Sequence, residues 1–242
     1  MSFLTNPTAF RRVGCALALI VANVLGVLAV LVTYSDIDSD DTKAYFADVA
    51  AHPDAHAISG LMSIVAFPLL LVGVLGIVHL IRGRGVTLAH IGGVLAIVGL
   101  GAFPLLAGTE IIDSIGVQAI GQEQMLKLSE DGLEESGYAI AVLLITLVPA
   151  LLGALLIGIA VLRSRLAAAW AGIAIIAGTL LLATPGGWVF IIGNVLHLIG
   201  FSAVAVRMLQ MSDSEWEHPP LDWRGEAETA PAAARRAEPA AG

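Results

Sequence analysis

Cysteine is almost absent: Cys15 stands alone in 242 residues, which excludes an internal disulfide and any zinc site built on cysteine. Charge is scarce too. Only 13% of the residues are charged, against about 25% in a soluble domain. Just two, Lys43 and Lys127, are lysine. Basic patches with interleaved aromatics are missing, so nucleic acid is not expected as a partner. No nucleophile elbow, Gly-rich phosphate loop or HExxH helix occurs, so no catalytic residue is assigned.

What fills the chain instead is apolar. Hydrophobic residues make up 57% of it, and the mean hydropathy is +0.88. Apolar runs lie near 13–33, 59–81, 86–107, 138–162, 167–184 and 188–206. At 1.5 Å per residue each is long enough to cross most or all of a ~30 Å hydrocarbon core. In lipid the backbone must satisfy its own hydrogen bonds, and runs of this length do so as helices. The expected fold is all-α: a polytopic transmembrane six-helix bundle over 13–208, with outer loops at 34–58 and 108–137. Residues 1–12 form a short cytoplasmic N-terminus.

Charge placement sets the orientation. Arg11 and Arg12 precede the first run, Arg82 and Arg84 join the second to the third, Arg163 and Arg165 join the fourth to the fifth, and Arg207 ends the sixth. The other side carries Asp36, Asp38, Asp40, Asp41, Asp48 and Asp54 in one loop. Glu110, Asp113, Glu123, Glu130, Asp131, Glu134 and Glu135 lie in the other. The bias of Lys and Arg toward cytoplasmic loops then puts both termini in the cytoplasm of a plasma-membrane protein. Arg11 and Arg12 could also open a signal peptide, but the apolar run outlasts the usual ~7–15-residue core of one. A retained first helix is the reading adopted.

Shifting the chain by 81 positions aligns Pro68 with Pro149, Arg82 with Arg163, Arg84 with Arg165 and Pro104 with Pro185. The second and third spans thus read as one hairpin and the fourth and fifth as its copy. Repeats of this kind occur in transporters, whose sites lie at the repeat interface. Small residues four apart (Ala22/Gly26, Gly92/Ala96, Ala154/Gly158, Ala174/Gly178) predict close helix packing within the bundle.

Outside the spans, Ala44, Tyr45, Phe46 and Val49 mark a short amphipathic helix on the membrane surface, capped by Ser39, Asp40 or Asp41 and ended by Pro53. Asp36, Asp38 and Asp40 have a calcium-loop spacing without the Gly and Glu that such a loop needs. Ile111 to Ile120 suggest a third helix that continues past Pro104, or a short one that follows it. Residues 209–242 are rich in Ala, Pro and Glu and read as a disordered cytoplasmic tail. Trp216 and Trp223 would anchor that tail at the interface or bind a protein partner, as the acidic loops also could.

Polar residues at membrane depth are the candidate sites. His197 lies ten residues before Arg207, roughly 15 Å along the helix, with Asn194 on the same face and Asn23 near the middle of the first span. A neutral His197 bonded to Asn23 or to a backbone carbonyl would act as glue; a proton relay or a substrate contact is the functional alternative. His79 and His90 fall near the cytoplasmic face. Their counterparts across the repeat are Ala160 and Ala171, which argues against paired haem ligands, and no cofactor is expected. His52, Asp54, His56, Glu110 and Asp113 have the donor chemistry of a metal site, although Pro53 breaks the helical spacing of the two histidines.

The segments Leu147-Val-Pro149-Ala-Leu-Leu-Gly153, Arg163-Ser-Arg165 and Ala171-Gly172-Ile173-Ala-Ile-Ile-Ala177-Gly178, after the outer amphipathic segment, resemble a broad bacterial family of six-span membrane proteins common in high-GC actinobacteria. The resemblance covers about residues 10–208. It implies a fold and a topology, and, since that family has no established activity, no catalytic residues. Three functions remain: a non-enzymatic envelope-associated, regulatory or sensing bundle; a small transporter or channel subunit; and a membrane redox or metal-dependent enzyme.

The orientation is testable with fusions. Green fluorescent protein joined after Gly242 should fluoresce, and a phosphatase that works only outside the cytoplasm should be active when joined at Gln122. The opposite pattern would invert the topology.

Overall fold

The computed structural model describes residues 6–33, 41–130, 138–184, 187–221 and 223. Nine helices follow one another among them: α1 (Pro7–Val32), α2 (Thr42–Ala51), α3 (Pro53–Leu80), α4 (Val86–Ile120), α5 (Gln122–Leu128), α6 (Tyr138–Ser164), α7 (Ala169–Leu182), α8 (Gly187–Gln210) and α9 (Asp213–Glu217). Five of them (α1, α3, α4, α8 and the Ile140–Ser164 part of α6) are long and apolar enough to cross a membrane. The sixth expected span is the shorter apolar helix α7, whose 14 residues extend about 21 Å.

Local chemistry sets the helix ends. Pro7 sits in the first turn of α1, and the Asn6 side chain caps it by accepting from the amides of Thr8 and Ala9 at 3.0 and 3.2 Å. Asp41 is the residue that caps α2, taking the Ala44 amide at 3.0 Å. Pro53 supplies the first turn of α3. Gly85, at φ +90°, makes the reversal between α3 and α4, a left-handed conformation that costs glycine nothing.

The five long apolar helices and the shorter α7 form a ring. Each packs on the next in the order α1, α3, α4, α6, α7, α8, and α8 returns to α1. Small residues let the backbones approach. Gly92 and Ala96 on α4 face Gly153 on α6, where an added Cβ would meet the Ala96 nitrogen at 2.9 Å. Gly158 faces Ile175 on α7, and Gly178 faces the Gly193 carbonyl on α8. The outer surface stays apolar, with Leu105 70% and Ile173 56% exposed, which suits a lipid solvent and would be an aggregation hazard in water.

The arginine-bearing end is packed solid by Ile77, Leu80, Ile157, Val161, Val204 and Met208. Here the expectation of a disordered tail from residue 209 is corrected over its first part. Helix α8 runs to Gln210, and α9 is closed by a capping box between Ser212 and Glu215. Bonds from Ser212 hold the Glu215 carboxyl below the usual range, with smaller help from Arg207 and Arg12. Trp216 is buried in the core. Arg12 pairs with Asp213 at 3.2 Å and donates to the carbonyls of Met208 and Leu209. The His79 ring donates from Nε2 to the Trp216 carbonyl at 2.8 Å, and the Trp223 indole donates to Leu80 O at 3.3 Å. Burial of an indole outweighs the polar composition of the segment. Residues 224–242 lie outside the described residues.

The opposite, acidic end also differs from expectation. Helix α4 does continue past Pro104, and its 35 residues extend about 52 Å, roughly 20 Å more than a hydrocarbon core needs. The overhang receives α2 and α5. Phe46 and Val49 are buried against Val117 and Met125, so α2 spends its apolar face on the protein and not on the membrane surface. The two outer segments therefore meet. Asp36, Asp38, Asp40, Asp131, Glu134 and Glu135 lie outside the described residues.

Two glycines on α4 separate packing from propensity. A Cβ at Gly99 would fall 2.2 Å from the Ala150 nitrogen, whereas Gly101 has nothing within 4 Å. Gly99→Ala should destabilise the protein by about 1–3 kcal/mol, and Gly101→Ala should stabilise it by about 0.5–1 kcal/mol. Unfolding in mixed micelles followed by circular dichroism gives the order; the reverse order would refute the packing.

Candidate functional site

A ring of helices with one end filled leaves room at the other. A cavity of about 430 Å³ runs from the acidic end toward the middle of the bundle. Helices α1, α3, α4, α6 and α8 supply most of its wall, and α7 adds Leu182. Most of the lining is aliphatic or aromatic. Phe67 of α3 and Phe103 of α4 stack with centroids 4.0 Å apart and both face the cavity. The polar side chains on its wall are few: Asn23, Thr33, Ser59, Ser63, Glu110, Asn194 and His197.

Three residues expected at membrane depth thus share one cavity, and no bond joins one of them to another. Asn23 donates to Leu19 O of its own helix at 2.7 Å, and Asn194 donates to Phe190 O at 3.0 Å. Each amide NH₂ satisfies its own backbone four residues back, which leaves the amide oxygens for the cavity or a neighbour. Asn194 Oδ1 lies opposite Gly26 on α1, 3.6 Å from where a Cβ would stand.

His197 reaches Thr179 on α7 in place of Asn23, with Nε2 2.9 Å from Oγ1. The Thr179 hydroxyl donates its single hydrogen to Ile175 O at 2.8 Å, so it accepts from Nε2–H and fixes that tautomer. Phe201 packs edge-on against the ring at 5.3 Å. His197 is 8% exposed and ties α8 to α7 while touching the cavity. The sequence offered one signal for Thr179: it is the single polar residue of α7.

The two histidines expected near the arginine end have separate partners. His79 holds the Trp216 carbonyl and accepts from Arg82 at 3.3 Å, while His90 donates from Nδ1 to Val86 O at 2.8 Å. The five candidate metal ligands are likewise divided. His52 and His56 both bond Asp48, at 3.2 and 3.0 Å. Asp113 accepts from the Tyr45 hydroxyl at 3.0 Å, and Asp54 is exposed. Among the described residues no three His, Cys, Asp or Glu side chains stand together as a metal would require. Burial, reinforced by Asp113, raises the Tyr45 pKa above its ordinary value, so the hydroxyl stays a donor.

Glu110 lies beside these groups. It lies on the cavity wall, and its Oε2 is buried with no hydrogen-bond partner among the described residues. Ser59, His56 and Asp113 are near the carboxyl group. The close approach of α3 that makes this possible depends on Gly60, where a Cβ would meet Ala107 O at 2.8 Å. No protein-family model, no curated protein and no solved structure matches the chain.

The His197–Thr179 bond can be weighed with a double-mutant cycle. His197→Ala and Thr179→Val should show a coupling of about 0.6 kcal/mol and at most ~1.7 kcal/mol, as buried bonds between transmembrane helices do. His197→Ala paired with Asn23→Ala should show none. Unfolding free energies of the four variants of each cycle decide it.

Proposed function

We propose that this chain is a six-span protein of a bacterial plasma membrane, with both termini in the cytoplasm, that works by holding a small, largely apolar molecule in its central cavity. It is a sensing or regulatory bundle in this reading, with no bond made or broken. The cavity carries the proposal. Its volume of about 430 Å³ falls within the ~300–1,000 Å³ of small-molecule sites, and an apolar wall with few polar groups is the usual make-up of such sites. A ligand there would touch helices on both sides of the ring. It could therefore change how α1 and α8 meet α3, α4 and α6, and the folded latch at the arginine end is where such a change would be read by a cytoplasmic partner.

The transporter reading draws on a different observation. Asn23, Asn194 and His197 line one cavity, as a polar path between the two proposed hairpin repeats would. Against it stands the packing of the arginine end, where Ile77, Leu80, Ile157 and Met208 are fully buried. Passage requires that core to open. A flux that His197→Ala abolishes without unfolding the protein would favour transport over binding.

Occupancy can be tested by photolabelling in lipid nanodiscs with a short neutral alkyl diazirine. The probe should label Leu147 and Leu151 on the cavity wall, and Ala154→Phe, which fills the space, should cut that labelling at least ~10-fold while sparing lipid-facing Leu105. Equal labelling of wild type and variant would remove the cavity as a site.

A further inference from the structure

We infer that the ligand of the cavity is a protonated amine with an apolar body, its ammonium group bound by Glu110. The inference rests on the binding role proposed above and deepens it by naming the ligand class.

The charge inventory of the cavity is lopsided. Among the described residues Glu110 is the one acidic residue on its wall, and no lysine or arginine lines it. A buried carboxylate oxygen normally has a donor or a cation, because burying it unpaired is costly. Oε2 of Glu110 has neither among the described residues. Two of its neighbours bond other groups: the His56 Nε2 bonds Asp48, and Asp113 accepts from the Tyr45 hydroxyl. Ser59 also lies beside the carboxyl group.

At this end His56, which lies beside Glu110, bonds Asp48 through Nε2, and His52 bonds Asp48 as well. Lys43 and Lys127 are exposed, and the outer segments 34–40 and 131–137 contain no lysine, arginine or histidine. In this inference the cation for Glu110 comes from outside the chain. An N–H-bearing ammonium would supply its carboxyl group with both a hydrogen bond and a positive charge. The rest of the wall sets what the ammonium is attached to. Phe67 and Phe103 stack on the cavity surface, where aromatic faces accept both an apolar body and a cation. The acidic rim outside, with Asp48, Asp113 and Glu123, would concentrate cations at the entrance and repel anions.

Three probes of one size test the ligand class: phenylbutylamine, phenylbutanol and phenylbutyrate, titrated into the full-length protein in zwitterionic nanodiscs, with empty nanodiscs as background. The amine should bind at least ~10-fold more tightly than the alcohol, a preference of the size expected for one charge-assisted bond, and the acid more weakly than either. In Glu110→Gln the amine should fall to the affinity of the alcohol, whose own binding should be unchanged and reports that the variant is folded. Equal binding of amine and alcohol in the wild type would overturn the amine assignment and leave a binding cavity standing. So would an amine preference that survives Glu110→Gln. Failure of all three probes to bind would overturn both this inference and the proposed function. The wild-type ranking decides the matter even if the variant does not fold.

Discussion

Six helices packed side by side in a ring cannot fill their own centre, and much of this molecule follows from how that space is shared out. Helices in contact stand about 8–10 Å apart. In a regular ring of six the axis is as far from each helix as the helices are from one another, which leaves a hole about one helix wide. The chain resolves this differently at its two ends. At the arginine end the large side chains of Ile77, Leu80, Ile157, Val161, Phe201 and Met208 point inward and fill it. Toward the acidic end the inward positions on α1, α4 and α6 include many small residues, Ala22, Gly26, Ala96, Ala107, Ala150 and Ala154, among larger ones such as Leu100, Phe103 and Leu151. Small residues there bring helices together but cannot reach the axis. The cavity is thus a consequence of residue size along the inward faces, and the same alanines and glycines that tighten the α4–α6 seam also empty the middle.

Keeping the ring closed requires a seam between the first and last helices, which are far apart in sequence. Neighbouring helices are joined by short turns or by the outer segments, whereas α1 and α8 have only non-local contacts. The seam is fastened at the arginine end by polar bonds. Arg12 reaches the carbonyls that α8 leaves unpaired at its C-terminus, and Asp213 receives both Arg12 and Asn6. A cation at a helix C-terminus is favoured by the helix dipole as well as by the free carbonyls. Trp216 then covers the joint from inside. The segment after α8 therefore belongs to the bundle, and its polar composition is that of a cap with one buried indole.

Much of this was legible in the residues, and what was not has physical reasons. The all-helical fold, five long apolar helices and the common end of the arginines could be read because hydropathy and the Lys and Arg bias are properties of segments, independent of partners. The asymmetric partners were hidden. Phe46 and Val49 read equally well as facing lipid or protein, since both solvents for an apolar face look alike in sequence; only the over-long α4 decides between them. His197 was identifiable as a costly residue at depth, but its choice of Thr179 over Asn23 depends on which neighbour the ring places beside α8, and α7 lies there as firmly as α1. The Ser212 and Glu215 pair is a helix-start signature that stood in the sequence, overshadowed by the Ala- and Pro-rich stretch that follows it.

The cost of polar groups explains why the cavity keeps so few and why they differ in kind. Asn23 and Asn194 each give one N–H to their own helix, so their presence at depth is nearly self-sufficient and says little about a ligand. His197 spends its Nε2 hydrogen on another helix and so contributes to the ring itself. Glu110 alone does neither. Its Oε2 has no partner among the described residues, at the point where Gly60 lets α3 close over it. A fold that satisfies two asparagines and a histidine within a few ångströms of backbone had the means to satisfy a carboxylate, for instance with a lysine on α3. This one carboxyl stands at the edge of the cavity, so the polar group with least support from the fold is also one that borders open space.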